Sequence, residues 1–219
     1  MFEFINHLTE PKSRLLSSPT ATLEAPQQPA AAATATTTQD FVYFDLETQR
    51  TAADVGGWNN KGDMRMSVGV TYSSATGKYV VYSEDKVNEL IAQLSRADLV
   101  IGFNHVNFDY AVLEGYHAFS LTDQCISCDL MVDLEKICGH RLKLEAVASA
   151  SLGTGKTAQG LDAIKWWREG KYIEVAEYCC YDVKVTKLVH EYGAKNGFVK
   201  YHDRFGNEQQ VDVDWKLPE

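Results

Sequence analysis

Three groups of residues in this chain combine types and spacings able to do chemistry. Asp45 and Glu47 close a short apolar run, Phe41-Val-Tyr-Phe-Asp-Leu46. On a strand a period of two puts both carboxylates on one face. Two acids side by side on an apolar strand repel each other, and burial raises both pKa values unless a cation sits between them. The simpler alternative is a strand end fraying into solvent. A second apolar run, Leu99-Val-Ile-Gly-Phe103, stops at Asn104, and Phe108 and Asp109 follow, again bringing a carboxylate to a sheet edge. Asp109 could instead serve only the positive end of a helix. In the third group, Tyr178 and Asp182 are four apart and share a helix face. That face carries Val175, Cys179, Thr186 and Val189, so Asp182 lies in a packed stripe and needs a partner or a metal ion.

The elements that would position these groups follow from periodicity. Strands are expected at 41–46, 67–72, 78–83 and 99–103, with Ala75-Thr76-Gly77 turning a hairpin. The stretch 56–60 reads as a loop. Val87, Leu90, Ile91 and Leu94 recur at the helix period within 84–96. Further helices are expected over 108–116 and near 129–138, 142–152, 160–169 and 173–195. A terminal β-hairpin is expected at 198–202 and 209–213. A β-rich half crossing into helices implies an α/β layered fold with a mixed central sheet flanked by helices.

These residues together resemble the DEDD superfamily of 3′→5′ exonucleases, which have an RNase H-like fold. Asp45-Leu46-Glu47-Thr48 resembles the first motif of that family, Asn104-His-Val-Asn-Phe108-Asp109 the second, and Tyr178-Cys-Cys-Tyr-Asp182 the third. Glu177, not His, stands five before Asp182, so the resemblance is to the tyrosine subclass. It spans about residues 41–215 and is nearest to small bacterial proteins related to the exonuclease domain of family B DNA polymerases.

The resemblance implies a two-metal hydrolysis with Mg²⁺ or Mn²⁺. Asp45 would bridge the ions, Glu47 and Asp182 would complete the first site, and Asp109 would serve the second. Tyr178 would orient the attacking water. Leu46 would wedge against the last base, with backbone near Leu46 and Thr48 meeting the terminal nucleotide. Asn104 and Phe108 would position the strand, and Lys156 could touch its backbone. The substrate would be single-stranded DNA or RNA, shortened from its 3′ end to nucleoside 5′-monophosphates. Two other readings stand beside it: a non-catalytic nucleic-acid-binding module of the same fold, and a metal-dependent endonuclease on structured nucleic acid.

Composition sets outer bounds. The 219 residues carry 21 Lys+Arg against 30 Asp+Glu, a net charge of −9. That argues against a highly basic nucleic-acid coat, but metal ions could supply positive charge locally. Residues 1–39 are rich in Ala, Thr, Pro, Gln and Ser and read as a disordered leader. Residues 40–219 are then of a size for one domain, which the resemblance implies is RNase H-like. No apolar run is long enough to span a membrane, so a cytoplasmic monomer is expected, with a helicase or polymerase as a conceivable recruiting partner. Three decoys read as structural. Ala150-Ser-Leu-Gly-Thr-Gly155-Lys156-Thr157 has a relaxed phosphate-loop pattern, but a helical stripe precedes it and Gly153 reads as a helix cap. Cys125, Cys128, Cys138 and His140 have irregular spacing for zinc. The Trp166-Trp167 pair reads as packing rather than as a base-stacking platform.

Overall fold

The computed structural model describes residues 39–153 and 160–218. The expected leader over 1–39, apart from Gln39, and Lys156 of the relaxed phosphate-loop pattern lie outside the described residues. Strand β1 (Phe41–Thr48) runs through the middle of a five-stranded sheet. On one side it pairs antiparallel with β2 (Met66–Ser73), which pairs antiparallel with β3 (Lys78–Ser83). On the other side it pairs parallel with β4 (Leu99–Gly102), which pairs parallel with β5 (Ser127–Asp129). Helix α1 (Val87–Leu94) makes the crossover from β3 to β4. Two short helices, α2 (Asp109–Leu113) and α3 (Leu121–Gln124), connect β4 to β5. Helices α4 (Leu130–Cys138), α5 (Leu144–Leu152), α6 (Gly160–Arg168) and α7 (Tyr172–Asn196) follow, then a separate hairpin of β6 (Phe198–His202) and β7 (Glu208–Asp212).

The alternation of β1 divides the core. Phe41 and Tyr43 point to the side where Leu134, Val147, Ala163 and Val183 of the long helices pack. Val42, Phe44 and Leu46 point to the side of α1, α2 and α3, against Leu90, Leu113 and Leu121. Each fully buried side chain of this kind contributes roughly 1.5–3 kcal/mol of transfer free energy. The pairing of β1 with β2 carries one irregularity. The register between β1 and β2 shifts between Glu47 and Thr48. Such a bulge turns the alternation over locally, which is why Met66 packs on the α1 side while Val68 and Val70 pack on the α7 side.

The helix and hairpin expectations are met within a few residues at each end, and Gly153 does cap α5, with φ 69°. Two elements were missed and one was read differently. Strand β5 and helix α3 are only 3 and 4 residues long, too short to show a period. The stretch expected as a loop, 56–60, enters a 3-10 turn at Trp58–Met64, and another such turn, Ala53–Val55, precedes it. The terminal hairpin is anchored through α5, where the Ser151 hydroxyl bonds both Lys200 backbone groups, its O at 3.1 Å and its N–H at 2.8 Å. The chain end then lays Trp215 over Gly193 of α7, where no side chain would fit, and stacks it on buried His190.

Asp129 holds the sheet to its neighbours on the β5 edge. It is 5% exposed and receives the backbone N–H groups of Asn104 (2.7 Å), Val106 (3.0 Å), Met131 (3.1 Å) and Val132 (3.2 Å). It caps α4 and ties down the turn after β4 at once. Removing it strands buried donors, each costing about 1–3 kcal/mol. Asp129→Ala should therefore lower unfolding free energy by roughly 2–4 kcal/mol, read from the urea midpoint at unchanged slope.

Candidate metal centre

Strand β1 presents Asp45 and Glu47 on the α7 side, continuing the row of Phe41 and Tyr43. Helix α7 presents Tyr178 and Asp182 one turn apart toward that row. The result is a tight trio: Asp45, Glu47 and Asp182 each offer a carboxylate oxygen, and these atoms lie within 4.8 Å of one another. Among the described residues this is the group so placed, and none of its members has a basic ion-pair partner. Burial pushes the Asp45 carboxyl well above its usual range, and the neighbouring charges of Asp109, Asp182 and Glu47 push it further. Burial, then Asp182 and Asp109, do the same to Glu47. Burial raises Asp182 to about 6, against a bond from Tyr178 that opposes the rise.

Asp109 arrives from the opposite side of the sheet. Its helix α2 packs Tyr110, Val112 and Leu113 into the α1-side core. β4 accompanies β1 only as far as Tyr43, and beyond it the Leu46 N–H is met by Asp109 Oδ1 at 3.1 Å. Asp109 is 3% exposed, and burial raises its pKa to about 7 although the Leu46 N–H opposes this. It stands outside the trio yet is the largest charge acting on Asp45.

Tyr178 is partly buried. Burial, and then the negative charge of Asp182, raise its phenol above the ordinary value, so it stays protonated at neutral pH. Trp166 of α6 packs edge-on against its ring at 6.1 Å. Cys179 was expected only to pack. Its thiol also donates to Asp45, at 3.4 Å to the backbone oxygen and 3.5 Å to Oδ2.

The remaining expected residues lie around this group as follows. Leu46 is 4% exposed and packs with Val42 and Phe44, because the even positions of β1 face α1. Thr48 is buried and its hydroxyl donates to Arg50 O at 3.1 Å. Asn104 adopts a left-handed backbone, φ 71°, and its side-chain oxygen accepts from Arg141. Phe108 is half-buried, with Trp58 edge-on at 6.2 Å. The cysteines are free thiols, and Cys125 packs in the α1-side core while Cys128 and Cys138 pack on the α7 side, so they do not converge with His140 on a common centre. Trp166 and Trp167 pack on Tyr178 and Tyr172. Asp129 went unnoticed, although an Asp directly before the apolar helix Leu130-Met131-Val132 is a recognisable cap signal. Among the described residues, no helix is long and apolar enough to cross a membrane.

No curated protein matches this chain. A solved structure of similar shape is the family B DNA polymerase from the hyperthermophilic archaeon Pyrobaculum calidifontis, with a TM-score of 0.53 and 15% sequence identity over 71% of this chain. The likeness covers 24% of the polymerase, so this chain corresponds to about a quarter of it, and at this identity the likeness is one of fold. A family model of the RNase H superfamily matches residues 42–192, which takes in all five strands of the central sheet, α7 as far as Tyr192, and every acid described above. The chain belongs to the RNase H superfamily.

Proposed function

We propose that this protein is a metal-dependent 3′→5′ exonuclease of the DEDD type, tyrosine subclass, acting on single-stranded DNA or RNA. The observation that carries the reading is the convergence of Asp45, Glu47 and Asp182 within 4.8 Å, with Tyr178 bonded to Asp182 and Asp109 alongside. Close, half-buried carboxylates without a cationic side chain suit a hard divalent cation such as Mg²⁺ or Mn²⁺. Asp45, Glu47 and Asp182 would hold it, and Asp109 would join for a second ion. When bound, such ions supply the positive charge that acidifies water and offsets the charge of a phosphodiester during displacement.

The chain's own groups do the rest. Cys179 donates to one oxygen of Asp45 and so limits how that carboxylate can turn. The Leu46 N–H does the same for Asp109. Tyr178, kept protonated, positions a water through its hydroxyl and is unsuited to act as a base at neutral pH. Trp166 holds the phenol ring from the side.

The raised carboxyl pKa values have a consequence for stability. Asp182 and Asp109 titrate at about 6 and about 7 when folded, against roughly 4 in an unfolded chain. The folded chain therefore holds more protons across this window, and stability falls as pH rises through it. The metal-free protein should melt several degrees lower at pH 8 than at pH 5. Mn²⁺ should restore the loss at pH 8 and do little at pH 5, where protons compete for the ligands. Asp182→Asn should raise the metal-free melting temperature at pH 8 and remove most of the Mn²⁺ effect. A melting temperature indifferent to both pH and Mn²⁺ would contradict the site.

Activity is tested with a single strand labelled at either end and incubated with Mn²⁺. Stepwise shortening from the 3′ end is expected. Internal cuts would indicate an endonuclease, and retained binding without cleavage a non-catalytic module. Asp45→Asn or Asp182→Asn should lower the rate by about 10³-fold or more through loss of a metal ligand, and Tyr178→Phe by less.

A further inference from the structure

Trp58 is 66% exposed, whereas Trp166 and Trp167 are half-buried and Trp215 is 7% exposed. An indole left in water forfeits the transfer free energy that buries most large aromatic rings. Its sequence neighbours Asn59 and Asn60 are also exposed, so no apolar surface of its own loop covers it. Yet the ring is not loose. It stands edge-on to Phe108 at 6.2 Å and 64°, and Phe108 directly precedes Asp109.

The loop beneath the ring is braced at several points. Asn60 Nδ2 donates to Val55 O at 2.7 Å, and the Gly57 N–H to Ala52 O at 2.7 Å. Arg168 of α6 reaches Asp54 at 2.6 Å. Gly62 lies so close to α2 and its following turn that a side chain at Gly115 would come 2.5 Å from the Gly62 carbonyl. The loop is thus fastened both to the segment after Asp109 and to the helix whose Trp166 supports Tyr178. Both attachments lead to residues of the site: Asp109 opens α2, and Trp166 packs on Tyr178.

We propose that Trp58 is a stacking platform for an unpaired nucleobase of the strand whose phosphodiester enters the carboxylate site. The inference rests on the nuclease reading above and adds to it a named contact for the substrate. An acidic chain, net −9, gains little affinity from phosphate attraction. Stacking on an aromatic face is independent of that charge and tolerates any base. A braced platform also fixes the base without a large ordering cost.

The test uses the full chain and short single strands with either intact or abasic nucleotides at their last three 3′ positions, with initial rates measured in Mn²⁺. Trp58→Ala should raise KM for the intact strand about ten-fold, at a kcat within about two-fold, and Trp58→Phe should retain most of the affinity. On the abasic strand the wild type and Trp58→Ala should be indistinguishable. An unchanged KM on the intact strand, or an equal penalty on both strands, overturns the proposal. Anisotropy of the same strands, fluorescently labelled, separates the two readings. Binding that prefers intact strands and is lost in Trp58→Ala, without any cleavage, overturns the nuclease reading and supports stacking. A wild type that binds neither strand overturns both.

Discussion

The mutual repulsion of Asp45, Glu47 and Asp182, each half-buried, and of buried Asp109 is the constraint around which this fold is organised. Left free, four such carboxylates would separate or stay protonated. They remain together because each is carried on an element that has no room to move. The β1 residues before Asp45 are almost fully buried on both faces. Val175, Cys179, Val183 and Thr186 embed the face of α7 that bears Asp182. Packing at protein density transmits strain rather than absorbing it, so apolar contacts on both sides of the sheet hold the charges in place.

Two donors temper the repulsion without neutralising it. The Leu46 N–H meets Asp109 at the point where β4 no longer accompanies β1. The Cys179 thiol meets Asp45. Neither is cationic, so the site keeps its negative potential while its carboxylates keep fixed orientations. Asp129 works one step further out. By collecting the N–H groups of Asn104 and Val106 it fixes the turn that leads into Asp109. Buried His105 sits beside it, with Nδ1 3.6 Å from Asp129, and burial lowers its pKa to about 4, so it adds no positive charge there at neutral pH.

Much of this was legible in the residues. Strong periodicity marked α1 and α7, aromatic and β-branched runs marked β1, β2 and β4, and Ala75-Thr76-Gly77 marked the hairpin turn. What escaped was short or depended on remote partners. β5 spans only Ser127–Asp129 and is a strand only because β4 lies beside it. The 3-10 turns over Ala53–Val55 and Trp58–Met64 have no apolar period, since their bracing comes from Arg168 at Asp54 and from the close approach of Gly62 to Gly115. Leu46 looked available to a substrate because its neighbours carry the chemistry, but a strand's alternation turns it away from them into the other half of the core.

The amino-acid sequence by itself determined which side chains share a face: Asp45 with Glu47, and Tyr178 with Asp182. Strand and helix periods are local geometry and need no partner. Only the tertiary structure decided that these two faces meet, across 134 residues between Asp45 and Cys179, and that Asp109 reaches them from the far side of the sheet. Periodicity says which way a residue points on its own element but not what that element packs against. That choice was made by the whole apolar surface of β1, which needed helices on both of its faces.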